Sequence, residues 1–366
     1  MDERIREMKS YNHLYEVAIS ESTRKKSVHK VCLGRKKRMR GFEEYSKDEG
    51  KTAEKALLWI SHYKNAYHTP IEIYDGISHK KRTIIVPTLK ELTVQHCVVE
   101  ALKPMFLKGM YEHSYASIPG RGAHKAKKVI EKWISHDQKN CKYILKADIK
   151  QFFGSISHEI LKKMLSQCIH DKKMVDLLYK IIDVTDIGLP LGFYTSQWLS
   201  NWYLQGLDHY IKEQLKITHY VRYMDDLVLF GSNKRKLHKA RASIERYLKN
   251  ELDLELKNNW QVFRFDYISK GGHCGRDLDF MGFRFFRDKT VLRKTIMLKA
   301  TRKAKAISNK DKATLYDIRQ ILSYLGWIDC TDTYNMYLER IKPYVDFGKC
   351  KKRISSHDKR KAKEEK

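Results

Sequence analysis

The distribution of apolar and polar positions along the chain changes character several times. Up to residue 70 the sequence is polar and basic, with a helical period only near residues 54–63. From Ile71 the stretch IEIYDGISHKKRTIIVP alternates with a period of two, which predicts a hairpin turning at Asp75-Gly76. After Pro87, Leu92, Val94, Val98, Val99 and Leu102 recur at helical spacing, and Pro104 is expected to stop that helix. CKYILKADI reads as a strand. HEILKKMLSQCIH reads as a helix with Ile160, Leu161, Met164, Leu165 and Cys168 on one face. Thr195 is expected to cap a helix that turns Trp198, Leu199, Trp202, Tyr203, Tyr210 and Ile211 inward as core. HYVRYMDDLVLF predicts two short strands joined at Met224-Asp225, and residues 234–252 an amphipathic helix. Residues 295–344 are mostly helical and basic, a separate small bundle. This alternation is that of an α+β domain with helices on one face of an antiparallel sheet.

Composition adds a size and a partner. With 366 residues and 42% hydrophobic content the chain can bury a substantial core, and its length suits two or three linked domains. Six prolines and 18 glycines exclude a collagen-like or low-complexity architecture. Charge is the departure from the ordinary: 73 Lys and Arg against 44 Asp and Glu leave +29. Such an excess repels itself unless a polyanion neutralises it, so nucleic acid is the first candidate partner. Residues 24–40, 287–310 and 349–366 each carry nine Lys or Arg against none, one and three acids, and together hold +23 of that total. Seven scattered cysteines without a C-x-x-C pair indicate neither a disulfide framework nor a zinc ribbon, and fit a reducing compartment. The N-terminal MDERIREMKS is too charged for a signal peptide, and the uncharged stretch 187–207 is interrupted by Pro190 and glycines. A cytoplasmic protein with no membrane partner is expected.

Candidate chemistry concentrates on three acids. Asp225 and Asp226 sit side by side in a tight hairpin between apolar strands, where adjacent carboxylates repel unless a cation holds them. Asp148 ends the strand YILKAD just before Phe152-Phe153-Gly154. If the two strands are neighbours, Asp148 and Asp225 can bridge two hard divalent ions and serve an in-line phosphoryl displacement. Other acids and metal-type ligands are weaker signals. His113, His124, His273 and Cys274 lack a paired spacing, Asp183 and Asp186 read as a loop or cap feature, and Glu112 as a solvated carboxylate.

A family resemblance rests on blocks that follow one another through residues 81–286. They are Lys81-Arg82 through Pro87; Ser114-Tyr115-Ala116 through Pro119-Gly120-Arg121-Gly122 and His124; Ala147-Asp148 through Phe153; Gly188-Leu189-Pro190-Leu191-Gly192 with Thr195-Ser196-Gln197; Tyr223-Met224-Asp225-Asp226; and Phe280-Met281-Gly282-Phe283. In this order they resemble bacterial reverse transcriptases, specifically the group of the group II intron and diversity-generating retroelement enzymes, which includes antiphage defence reverse transcriptases. The resemblance implies a right-hand polymerase: a basic helical extension over 1–70, fingers over 71–140, palm over 141–286, helical thumb over 287–348 and a disordered basic tail over 349–366. It implies Asp148 and Asp225 as principal ligands of two Mg²⁺ ions, with Mn²⁺ as a substitute and Asp226 as the supporting carboxylate. Phe153 would be the gate against a ribose 2′-OH; Arg82 and Arg121, with Lys81 as a lesser candidate, would hold the triphosphate. Leu191, Gln197 and Tyr223 would line the substrate, Phe280 to Phe283 would grip the primer, and Lys257 is the nearest counterpart of a general acid.

Two departures from the family pattern stand out. Leu191 occupies a position where many relatives have Gln, and with Ser196-Gln197 it matches the diversity-generating enzymes. Ile118 stands where relatives usually place Arg, so triphosphate binding must rest on other residues. The implied activity is RNA-directed DNA synthesis on an RNA template with a DNA primer and deoxynucleoside triphosphates. It would serve either a diversity-generating retroelement, with a small helical accessory protein, or antiphage defence, on a cognate noncoding RNA or without a template, with a second reverse transcriptase or as an oligomer. A nonenzymatic RNA-binding scaffold is the alternative of another class; the three aspartates argue against it.

Overall fold

The computed structural model describes residues 11–34, 39–74 and 81–364. The chain divides into two compact units, one formed by Met1–Gly122 with Leu145–Val262, the other by Ala123–Ile144 with Phe263–Lys366.

In the first unit the basic N-terminal stretch folds into helices Leu14–Ile19, Glu21–Leu33, Phe42–Lys47 and Glu49–Ser61. Val28, Val31, Phe42, Tyr45 and Ala53 from these helices bury themselves against Leu89 and Leu92 of helix Leu89–Lys108. That helix begins in a capping box between Thr88 and Glu91 and, against expectation, continues through Pro104. Proline removes one helical hydrogen bond and costs about 3 kcal/mol. Met105 and Phe106 beyond it are 1% exposed, and burying two such side chains returns about 1.5–3 kcal/mol each. Packing therefore outweighs the break.

Strands β1 (Ile71–Tyr74) and β2 (Lys81–Ile84) pair antiparallel, Ile71 opposite Ile84 and Tyr74 opposite Lys81. The turn expected at Asp75-Gly76 lies outside the described residues. A four-stranded sheet has the order β4-β5-β3-β6, from β3 (Tyr143–Asp148), β4 (His219–Tyr223), β5 (Asp226–Gly231) and β6 (Gln261–Arg264). The strands bearing Asp148 and Asp226 are thus neighbours. Helix Lys234–Leu252 follows β5 with the expected bounds. Trp198, Trp202 and Tyr203 on helix Tyr194–Tyr203 are buried, as their spacing predicts. Thr195 does not cap this helix. The first position is Tyr194, whose N–H donates to Gln95 Oε1 of the neighbouring helix at 2.8 Å, so a tertiary contact satisfies the end that a local hydroxyl was expected to satisfy.

Between these elements the Gly188-Leu189-Pro190-Leu191-Gly192 loop is pinned from two sides. Gly188 N–H donates to Ile156 O at 3.2 Å and Leu189 N–H to Phe153 O at 2.6 Å, while Leu191 O accepts from Ile85 N–H at 2.8 Å. Gly192 has φ +113°, and a Cβ there would lie 2.2 Å from Ile85 O.

The second unit contains helix Ala123–His136, the hairpin β7 (Tyr267–Ser269) and β8 (Gly272–Cys274), and a three-stranded sheet of order β11-β10-β9, from β9 (Leu278–Phe280), β10 (Phe283–Phe285) and β11 (Thr290–Leu292). Helices Lys294–Ser308, Leu315–Ile328 and Tyr334–Arg340 follow, as the basic helical pattern predicts. The tail expected to be disordered instead forms helix Phe347–Glu364 through its described residues. Asp346 Oδ1 accepts from Lys349 N–H at 3.1 Å at its start, Phe347 stacks near Tyr337, and Arg319 reaches Asp358 at 3.1 Å, anchors that a count of charges does not reveal. No helix among the described residues is long and apolar enough to cross a membrane.

Replacing Gly192 by Ala is expected to destabilise the chain by more than about 2 kcal/mol, because it adds both backbone strain and a collision with Ile85. Urea denaturation measures this; an unchanged midpoint would show that the loop relaxes freely.

Candidate active site

Asp148 closes β3, Asp225 stands in the turn between β4 and β5, and Asp226 opens β5 opposite Tyr223. Ile149 N–H donates to Asp225 O at 3.2 Å, and Lys257 N–H donates to Asp148 O at 2.8 Å, so backbone bonds hold Asp148 between the turn and the segment carrying Lys257. Asp148 Oδ2 accepts from Lys257 Nζ at 2.5 Å, whereas Oδ1 is buried without a hydrogen-bond partner. Burial, then the negative charges of Asp148 and Asp226, push the Asp225 carboxyl up to about 6; Lys257 offsets part of that. Asp148 and Asp225 thus share the ammonium of Lys257, and the Asp225 carboxyl still stands above its ordinary pKa. Among the described residues no three His, Cys, Asp or Glu side chains already close into a metal cage. The donor set is nevertheless all hard oxygen, and the orphaned Asp148 Oδ1 needs a partner, which suits an oxygen-seeking divalent cation.

The turn is strained and braced from below. Met224 has φ 58°, a conformation costly for a side chain without a special reason. Its carbonyl accepts from Arg222 Nη1 at 3.0 Å, and its sulfur accepts from Ser200 Oγ at 3.4 Å. Arg222 is fully buried. It forks onto Asp208, Nε to Oδ1 at 2.8 Å and Nη2 to Oδ2 at 2.7 Å, and its Nη1 also reaches Asn201 Oδ1 at 3.1 Å. Tyr220 donates its hydroxyl to the same Asp208 Oδ1 at 2.8 Å. The Arg222 backbone bonds to His113 O and Tyr115 N–H, and Asn201 Nδ2 donates to Ala116 O, which ties the Ser114-Tyr115-Ala116 block to β4. Sequence reasoning missed this network. Its signal was an arginine inside the apolar strand HYVRY and an aspartate in the apolar run before it.

The remaining site candidates fall into three groups. Phe153 is half-buried beside Phe152, its carbonyl held by Leu189 N–H; Leu191, through Ile85, bonds to the segment just beyond β2, the strand that carries Lys81 and Arg82. Lys81 pairs with Glu72 at 2.7 Å on an exposed hairpin where Arg82 is exposed as well. Gln197 is exposed and Tyr223 half-buried, with its hydroxyl pKa raised by burial. Arg121 is committed elsewhere: Nη1 donates to Tyr111 O at 2.6 Å and Ser114 O at 3.1 Å. Ile118 is buried at 4% exposure, so its aliphatic side chain serves the core. Phe280 to Phe283 lie in the second unit, where Phe280 and Phe283 face each other across a tight turn with Met281 at φ 51° and Gly282 at φ 88°. A Cβ on Gly282 would meet Ile296 Cδ1 at 2.8 Å and the Trp327 ring at 3.1 Å, so the turn is packed from beneath.

Two outcomes follow from the charges. Arg222→Met leaves Asp208 buried and unpaired and is expected to cost about 3–5 kcal/mol by denaturation, while Arg222→Met with Asp208→Leu costs clearly less than the two single changes together; strict additivity would deny the pairing. Because folding raises the Asp225 pKa, the stability this group lends is present below about pH 4 and lost as pH rises through about 6. In chelator, Asp225→Asn is expected to exceed the wild type by on the order of 2–3 kcal/mol at pH 7.5 and to match it near pH 4. A difference independent of pH would refute this.

Comparison with known proteins agrees with this geometry. The family described as reverse transcriptase (RNA-dependent DNA polymerase) matches residues 73–267, over half of the chain. Protein YkfC of Escherichia coli K12 is 22% identical over 254 residues, covering 58% of this chain and 65% of its own length. The retron Ec73 reverse transcriptase of Escherichia coli is 24% identical over 204 residues, 52% and 61% of the two chains. The group II intron-encoded protein LtrA of Lactococcus lactis subsp. cremoris is 29% identical over 150 residues, 38% and 24%. The chain thus spans less than two thirds of the length of each of these relatives. With the family matched across the segment that holds the carboxylates, the chain, a mixture of helix and antiparallel sheet, belongs to the reverse transcriptases.

Proposed function

We propose that this chain is an RNA-directed DNA polymerase that adds deoxynucleotides to a primer 3′-hydroxyl on an RNA template. One observation carries the reading: a buried, unpartnered Asp148 oxygen beside an Asp225 carboxyl whose pKa is raised by burial and by its acidic neighbours. Polymerases of this family use divalent metals; here Asp148, Asp225 and Asp226 would hold two Mg²⁺ ions, with Mn²⁺ as a substitute. When bound, such ions neutralise charge on the phosphate oxygens during transfer.

The chain's own side chains supply orientation. Arg222 and Asp208 fix the turn so that Asp225 does not relax away from Asp148. Phe153, whose carbonyl accepts from Leu189 N–H, would block a ribose 2′-OH with its aromatic face. Lys81 and Arg82 on the exposed hairpin take the triphosphate, Arg121 contributing mainly by shaping the block it braces. Leu191, Gln197 and Tyr223 bound the nucleotide site. Lys257, which donates to Asp148, would give a proton to the departing group. Residues 71–140, 141–286 and 287–348 act as fingers, palm and thumb, and Phe280 to Phe283 as the primer grip. The seven free cysteines support a cytoplasmic setting.

Two biological settings use this chemistry. Leu191 and Gln197 favour a diversity-generating retroelement with a small helical accessory protein. Ile118, built into the core, leaves room for antiphage DNA synthesis on a cognate noncoding RNA, or without template, by an oligomer or beside a second reverse transcriptase. Asp148→Asn and Asp225→Asn are each expected to lower primer extension by at least about 10³-fold while RNA affinity is kept; extension at wild-type rate in both would overturn the assignment. Sequencing products made with and without added RNA separates the settings, and absence of any product favours a binding scaffold.

A further inference from the structure

The N-terminal helices enclose a second cleft that the catalytic reading does not use. It measures about 880 Å³ and is lined by Arg40, Lys55, Trp59, Tyr63, Lys64 and Lys90 together with apolar and acidic neighbours. Trp59 continues an aromatic stack: Phe42 on Tyr45 with ring centroids 6.5 Å apart, and Tyr45 on Trp59 at 6.3 Å and 17°. Lys90 Nζ lies 6.0 Å from the Trp59 ring centre. Trp59 is itself only half-buried, so the stack ends at the cleft.

The charge at this cleft is unspent. On the neighbouring helix Glu21–Leu33, lysines find acids: Lys25 meets Glu21 at 2.5 Å, and Lys26 meets Glu100 at 2.7 Å. Lys55, Lys64 and Lys90 are exposed and have no acidic partner among the described residues. Two acids line the cleft. Glu44 is exposed, while Glu91 is 3% exposed and already bonded to Ala66 N–H, Thr88 and His68. Its negative charge is therefore consumed internally, and the rim stays cationic. Arg40 adds the end of the acid-free basic stretch 24–40.

We propose that this cleft is a binding site for single-stranded nucleic acid, with one base stacked on Trp59 and flanking phosphates on Lys55, Lys64 and Lys90. An accessible ring at the end of an aromatic stack, bordered by unpaired cations, meets both needs of such a strand: a π surface for any base and positive charge along the backbone. A mononucleotide would use the ring but leave most of the cationic rim idle, and an apolar peptide would bury unpaired ammonium groups at a cost. The site lies within residues 40–94 and does not depend on the carboxylates or on the polymerase assignment.

The test uses the full chain and short iodouracil-substituted single strands, as RNA and as DNA, cross-linked by light and mapped to peptides. The expected result is a cross-link on the peptide carrying Trp59, and an anisotropy affinity about tenfold weaker in Trp59→Leu. Lys64→Gln with Lys90→Gln, two exposed changes that leave the core intact, is expected to reduce the slope of log affinity against log salt by about 1.4. Cross-links confined to peptides outside residues 40–94, or a slope unchanged in the double variant, would overturn the proposal. Displacement of the strand by micromolar uridine monophosphate would overturn it in favour of a free nucleotide. Extension of a pre-annealed primer and template, measured in parallel, is expected to persist in both variants. Loss of extension in the wild type would count against the polymerase reading alone, because the cross-link map reads the cleft independently of catalysis.

Discussion

The buried ion pair between Arg222 and Asp208 is the constraint on which the site depends. A guanidinium and a carboxylate removed from water are expensive, and their mutual attraction repays that only when the remaining donors and acceptors are satisfied. Here they are. The fork onto Asp208 leaves Nη1 free to hold Met224 O and Asn201, while Tyr220 completes Asp208. The result is a rigid base beneath a residue in a left-handed conformation, and that conformation places Asp225 where it meets Asp148. Strain at the turn and order beneath it are one arrangement seen from two sides.

The same logic governs the charge of the molecule. A net +29 invites the view that every basic run faces a polyanion, yet many of these side chains are occupied within the fold. Arg287 donates to Ile134 O and Cys141 O, and its backbone to Asp266. Lys303 and Lys310 both converge on Asp317, which with Thr314 caps the following helix. Arg121 braces two carbonyls. Cations without an acidic partner among the described residues, such as those around Trp59, are the more informative ones, because no carboxylate there neutralises them.

Close backbone approach is the second device that assembles the site. Gly188 brings its loop onto Gly154 and Phe153, and Gly192 brings the other end onto Ile85, so the aromatic gate, the loop and the chain leaving β2 share one set of backbone bonds. A side chain at either glycine would drive these segments apart. The spacing of the two glycines is therefore a geometric requirement of the loop.

Much of this was legible in the chain. The hairpin around Met224, the helix over 234–252, the buried face of helix Tyr194–Tyr203 and the three aspartates follow from local periodicity and from the cost of adjacent carboxylates, both of which act over a few residues. What local pattern could not supply were contacts made across the fold: helix Leu89–Lys108 continuing past Pro104 because Met105 and Phe106 find a core, Gln95 capping a helix in place of Thr195, and Arg222 meeting Asp208. Each depends on a partner that only the folded chain brings near. The sequence alone determined which residues had to be buried and which charges had to be compensated; tertiary structure decided what compensates them, because burial selects partners by distance in space.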